Sequence, residues 1–179
     1  ATTYGSDVKS ATPLPRLITA MFASNVGALA ALLTPLTLLL TLHLTRIAPD
    51  SAAAAFGLVT GFGALFALIA NPLAGRISDR TAARFGRRRT WILTGGVGGS
   101  LVVFALAFTT EVWQVALVWC ATQTLFNFQQ AATSALLADQ VPPLRRGTTS
   151  GFVGLAAAIG PLFGLAAVSA ITDPLIQWA

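Results

Sequence analysis

Residues 52–73 read AAAAFGLVTGFGALFALIANPL, twenty-two consecutive positions without an Asp, Glu, Lys or Arg. A helix of that length rises about 33 Å, enough to cross a hydrocarbon core of about 30 Å. In lipid every backbone amide must find its partner inside the segment, and an open chain manages that only as a helix. The pattern recurs over residues 17–44, 91–108, 112–138 and 152–171, again without those four residue types. These runs predict an all-α fold, a polytopic transmembrane bundle of about five helices. Composition points the same way, with 55% of the 179 residues hydrophobic and 9% charged. A soluble domain carries about a quarter charged residues, because water must wet its outside, and a bilayer lifts that demand.

Working outward, the connections over residues 46–51, 74–90, 109–111 and 139–151 are short, so consecutive helices should run antiparallel. They also divide the charge. Lys9, Arg16, Arg76, Arg80, Arg84, Arg87, Arg88, Arg89, Arg145 and Arg146 fall on one side and Arg46 alone on the other. The excess of Lys and Arg on cytoplasmic loops then predicts a multi-pass cell-membrane protein with a cytoplasmic amino terminus. The net charge of +5 reads as topology, and nucleic acid is not an expected partner. Residues 1–16 read as a cytoplasmic amino-terminal segment ahead of a transmembrane bundle over residues 17–179. Asp173-Pro174 reads as a turn and residues 175–179 as the start of a sixth helix, so the chain is expected to be a piece of something longer. Pro35 and Pro161 should kink the first and fifth helices. The glycine pairs 57/61, 95/99, 147/151 and 160/164 have the four-residue spacing that lets helices approach closely in lipid.

Two loops carry a resemblance. The first runs Asn71-Pro72-Leu73-Ala74-Gly75-Arg76-Ile77-Ser78-Asp79-Arg80 and on through Arg84-Phe85-Gly86-Arg87-Arg88-Arg89. It resembles the signature loop between helices two and three of the major facilitator superfamily. The longer form SDR…RFGRRR resembles the glycoside–pentoside–hexuronide cation symporters and the related plant-type sucrose transporters. The second, Ala135-Leu136-Leu137-Ala138-Asp139-Gln140 followed by Arg145-Arg146-Gly147, is similar to that family's connection between helices four and five. The resemblance implies one half of a twelve-helix carrier, with a conformational latch at Gly75, Asp79, Arg80, Arg87, Arg88, Arg89, Asp139 and Arg145. The spacing suits that role. Gly75 admits a second helix, Asp79 one turn on can cap a helix amino terminus, and the arginines balance its charge. Asp139 would face the cluster of Arg87, Arg88 and Arg89. The alternative is a solvated basic loop that orients the protein and meets anionic lipid, and Arg84 and Arg88 read as doing only that. Ser134 stands where plant-type sucrose transporters carry an arginine, a departure from that branch.

Polar groups at membrane depth are costly unless they face a cavity or a partner. Gln123, Asn127, Gln130 and Ser134 lie at offsets 0, 4, 7 and 11, on one face of the fourth helix, and with Asn25 on the first helix form the candidate substrate site. Amides and hydroxyls supply donors and acceptors for a polyhydroxylated ligand, while hydrogen bonding between helices is the plainer alternative. Thr34, Thr37, Thr41 and Thr45 share a face of the first helix, a weak signal because threonines can bond their own backbone, and Asn25 lies near the opposite face if that helix is straight. His43, the one histidine, reads as a wet interfacial group before it reads as a proton-coupling one. Cys120 reads as a small core residue, and Trp91 and Trp113 as interfacial anchors. Glu111, the one glutamate, lacks an acid/base partner, and the sequence calls for no metal, cofactor or enzyme chemistry. The expected function is secondary transport of a sugar-like or other polar small molecule by alternating access, coupled to H⁺ or Na⁺. Its expected partners are the lipid bilayer and a carboxy-terminal half or partner membrane subunit. The competing expectation is a non-transporting scaffold or assembly subunit on the same fold.

Overall fold

The computed structural model describes residues 13–80 and 87–170, with only the backbone of Asp79 and Arg87. The readings of residues 1–12, Arg84 and the possible sixth helix at residues 175–179 lie outside the described residues. The described chain is all helix: α1 (Leu14–Ile47), α2 (Ala52–Arg80), α3 (Arg87–Ala105), α4 (Val112–Gln140) and α5 (Pro143–Ser169). By length and composition, four helical stretches can cross a membrane: Leu14–Ile47, Pro49–Ser78, Arg88–Phe108 and Pro143–Ser169. The 29-residue α4 is long enough but more polar. It is also the central helix, packed along both α2 and α3. A helix wrapped by other helices faces little lipid, so it need not be greasy all round.

The helices outrun the apolar stretches that announce them. The second apolar run ends at residue 73, whereas α2 continues through Pro72 to Arg80. The fifth begins at residue 152, whereas α5 starts at Pro143 and takes in the polar stretch Arg145-Arg146-Gly147-Thr148-Thr149-Ser150. Hydropathy marks the part of a helix in hydrocarbon, and the backbone ladder continues into the interface. Other boundaries follow local chemistry. Ala48 leaves helical geometry ahead of Pro49, as a residue preceding proline tends to. Glu111 caps α4 in a capping box with Gln114, whose Oε1 accepts from the Thr110 amide at 2.8 Å. That gives the single glutamate a structural task.

Pro35 does more than bend α1. It has no amide proton to give the carbonyl four residues back, and residues Pro35–Leu39 widen into a π-helical turn before α geometry resumes at Leu40. The turn shifts the helical register, and the threonine row expected on one face is split: Thr34 is buried while Thr37, Thr41 and Thr45 are exposed. α1 packs mainly on α5. The main core joins Leu40 and Leu44 of α1 to Val59 of α2 and to Val115, Trp119 and Phe126 of α4, all essentially closed to solvent. Leu58, Phe62, Leu65, Leu68 and Ile69 of α2 and Leu162 and Phe163 of α5 are exposed. Surfaces that apolar belong in lipid.

The glycine pairs part ways. A Cβ on Gly95 would come within 2.7 Å of the Leu125 carbonyl oxygen, and one on Gly99 within 3.0 Å of the Phe126 ring. One on Gly160 would lie 3.0 Å from the Val26 carbonyl oxygen. These are the crossings of α3 on α4 and of α5 on α1. A Cβ on Gly57, Gly61, Gly147 or Gly151 would meet nothing described within 4 Å beyond its own helix.

Candidate functional site

At the basic end, three helix termini meet at one guanidinium. Arg88 Nε donates to Asp139 Oδ2 at 3.2 Å, joining the start of α3 to the end of α4. Its Nη1 donates to Ser78 Oγ at 2.7 Å, and that buried hydroxyl donates to the Gly75 carbonyl at 3.0 Å. The Arg88 side chain is 11% exposed and the Asp139 side chain 41%. Arg146 Nη2 and Nε donate to the carbonyls of Ala138 and Val141 at 2.7 and 3.0 Å, satisfying acceptors that the end of α4 leaves open. Of the expected latch residues, the structure thus brings Arg88 and Asp139 together around Ser78. Arg80, Arg89 and Arg145 are exposed, and the side chains of Asp79 and Arg87 lie outside the described atoms. The helix approach expected at Gly75 is not made by any described residue, since a Cβ there would meet nothing within 4 Å. Sequence reasoning missed Ser78 and Arg146. Ser78 had a signal in its position one residue before the acidic member of the motif.

At membrane depth, Gln123, Asn127 and Gln130 are half-buried and Ser134 is exposed, so the amide row lies along the flank of α4. Asn127 Nδ2 donates to the Gln123 carbonyl at 2.7 Å, which ties it to its own helix. Asn25 is buried on α1, and its Oδ1 has no hydrogen-bond partner among the described atoms. The inward amide of α4 is Gln129, 2% exposed and absent from the expected set. Its Nε2 donates to Ser24 Oγ at 2.9 Å and to the Ser24 carbonyl at 3.1 Å, joining α4 to α1. Gly95 and Gly96 of α3 leave room for that amide. A cavity of about 650 Å³ lies between α1, α3 and α5, walled by Phe22, Val26, Thr34, Ser100, Phe163 and Val168 among others, and none of the five expected substrate residues lines it.

At the opposite end, His43 is buried and linked to the corner between α3 and α4. Its Nε2 lies 2.9 Å from Thr109 Oγ1 and 3.1 Å from the Thr109 carbonyl oxygen. The carbonyl can only accept, and the Thr109 hydroxyl already donates to the Leu106 carbonyl at 2.7 Å. The proton is therefore assigned to Nε2. Trp119 is fully buried beside Gly63 of α2, in the core, whereas Trp113 is exposed.

The profile of the Major Facilitator Superfamily matches residues 16–179. The chain belongs to the major facilitator superfamily. Among curated relatives it is 32% identical over 108 residues to the multidrug resistance protein MdtG of Dickeya zeae, covering 60% of this chain and 25% of the relative. It is 31% identical over 100 residues to the protein of that name from Proteus mirabilis, covering 56% and 23%. It is 40% identical over 72 residues to an uncharacterized symporter of Synechocystis sp., covering 40% and 12%. The matched stretch thus spans about a quarter or less of the length of these relatives. No solved structure matches at a significant level. Membership in a family of membrane transporters agrees with the apolar helices, and the protein is a multi-pass membrane protein.

Proposed function

We propose that the chain is the amino-terminal half of a secondary active transporter that moves a polar, sugar-like small molecule by alternating access, coupled to H⁺ or Na⁺. The observation that carries this reading is the row of Gln123, Asn127 and Gln130, with Ser134 at its end. The three amides are only half-buried at membrane depth and Ser134 is exposed. Polar side chains are kept there when they face a water-filled path or a partner. The open glycine faces at Gly57 and Gly61 on α2 and at Gly147 and Gly151 on α5 suit close crossing by further helices, from a carboxy-terminal half or a partner subunit. Gly75 offers the same open approach beside Asp79 and Arg80, and the arginine-rich end would be the cytoplasmic one. There the latch would hold one of the alternating states.

The test is uptake into proteoliposomes by the product of the complete gene. Asn127→Ala is expected to lower uptake of a labelled sugar without reducing the amount of folded protein, and Asp79→Asn to abolish it. A second reading, an amphipathic organic substrate, draws on the apolar 650 Å³ cavity and on the relatives named multidrug resistance protein. Export of a lipophilic dye in place of sugar uptake would favour it. Absence of any uptake, with recovery of the protein in a larger complex, would favour the scaffold.

A further inference from the structure

Three helices meet at the side chain of Gln129. α4 carries it, and α3 makes room for it: a Cβ on Gly95 would lie 2.9 Å from Gln129 Cβ, and one on Gly96 3.2 Å from Gln129 Oε1. α1 receives it, through the donation of Nε2 to Ser24 Oγ at 2.9 Å and to the Ser24 carbonyl at 3.1 Å. A backbone carbonyl can only accept, so the nitrogen is the end of the amide that faces α1. The two acceptors belong to one residue. Together they fix how α1 is turned about its own axis as well as how far it stands from α4, whereas a single bond would let it pivot. Gln129 is 2% exposed, so water competes little for the amide.

α1 packs mainly on α5, while α4 packs along α2 and α3. The two helices that carry the candidate binding groups therefore lean on different neighbours. Their candidate groups sit directly beside the link. Asn25 follows Ser24 and is buried, its Oδ1 without a hydrogen-bond partner among the described atoms. Gln130 follows Gln129 and is half-buried. A turn of α1 that parts Ser24 from Gln129 carries Asn25 with it, because neighbours on a helix rotate as one body.

We infer that Gln129 is the positioning residue of the candidate site, its amide registering α1 against α4 and so setting Asn25 relative to the row of Gln123, Asn127 and Gln130. That those four grip a substrate rests on the proposed function, whereas the registration itself does not. A hydrogen bond between membrane helices is worth a factor of about 3 to 20 in an equilibrium constant, and that range bounds what its loss can take from ligand affinity.

Gln129→Met keeps the length of the side chain without a donor. Gln129→Glu, held neutral by burial, keeps one O–H donor. Two readouts on the product of the complete gene separate the inference from the reading beneath it. The first needs no substrate. In a Cys120→Ser background, the thiol of Asn25→Cys should react slowly with a membrane-permeant maleimide, and adding Gln129→Met should speed the reaction about 3- to 20-fold. The thiol of Thr122→Cys, at a position on α4 closed to solvent, should stay protected in both. The second readout is uptake of a labelled sugar into proteoliposomes. Gln129→Met should raise KM over the same range at unchanged Vmax, Gln129→Glu should recover most of the affinity, and Ser24→Ala should add nothing to Gln129→Met. A melting curve establishes that each variant is folded. Absence of uptake in the wild-type protein would overturn the transport reading alone, and the maleimide rates would still decide the registration. Unchanged protection of Asn25→Cys beside Gln129→Met, or equal opening of Thr122→Cys, would overturn the registration. A fall in Vmax at constant KM would make Gln129 a packing residue and overturn its positioning role.

Discussion

Alanine at Gly95 and at Gly57 gives a matched pair of perturbations whose outcomes should diverge. At Gly95 the added Cβ would lie 2.7 Å from the Leu125 carbonyl oxygen and 2.9 Å from the Gln129 backbone nitrogen. An unstrained carbon–oxygen contact is about 3.3–3.6 Å, so α3 must retreat from α4 by roughly 0.6–0.9 Å. A gap of that size forfeits about a quarter to a half of each affected dispersion contact, including those of Gly99 with the Phe126 ring. The obstacle is backbone, which cannot swing aside, so the overpacking cost is put at about 1–3 kcal/mol. Alanine also gains up to about 1 kcal/mol over glycine in helix propensity. Gly57 takes that gain with nothing within 4 Å to oppose it. Propensity is common to both variants and cancels in their difference, leaving about 1–3 kcal/mol, with Gly95→Ala the less stable. Reversible denaturation of the purified chain in mixed detergent micelles, followed by tryptophan fluorescence, measures that difference. Equal shifts for the two variants would mean that the α3–α4 crossing is not held by the missing side chain at Gly95, and the argument for it would fail.

Three further outcomes follow. His43→Gln keeps an N–H donor for Thr109 and should hold stability near wild type, whereas His43→Leu should lose about 1 kcal/mol. Because the chain has a single histidine, ¹⁵N NMR of labelled protein reads its tautomer directly, and a proton found on Nδ1 in the neutral ring would refute the assignment. A double-mutant cycle between Arg88→Gln and Asp139→Asn should give a coupling below about 1 kcal/mol, since the carboxylate remains open to solvent. A larger value would mean that the pair is sealed by something beyond the described helices. Gln129→Leu should cost roughly 0.6–2 kcal/mol, the range for hydrogen bonds between membrane helices. Thr122→Val should cost less, because the Thr122 hydroxyl serves only the Val118 carbonyl of its own helix.

Helix number and class were legible because lipid leaves the backbone no alternative, and a run such as residues 52–73 can be read by counting. The ends were not, because the signal is hydropathy, and Arg80 or Thr148 can be helical without being greasy. The amide row on α4 was recoverable by offset arithmetic. Which face of α4 turns inward was not: that depends on Gly95 and Gly96 of a different helix, and it makes Gln129 the buried amide instead of its neighbour Gln130. Arg88 was one arginine among several in the string. Only the three-dimensional meeting of Ser78 and Asp139 distinguishes it from a charge in water.

The widened turn at Pro35–Leu39 also bears on how α1 tolerates change. A π turn takes in about one residue more than an α turn, and one residue is about 100° of rotation. The segment beyond it is therefore out of phase with the segment before it, and that offset is what aims His43 at Thr109 while Leu40 and Leu44 point to the core. Deleting any one residue between 35 and 39 would let the helix revert to regular winding. Because the wide turn holds about one extra residue, its loss restores α geometry while the last two turns keep their faces, with Leu40 and Leu44 inward and Thr41 and Thr45 outward. Shortening α1 by one position inside this turn should therefore be less damaging than the same deletion elsewhere in the helix, which would turn the segment beyond it by about 100°.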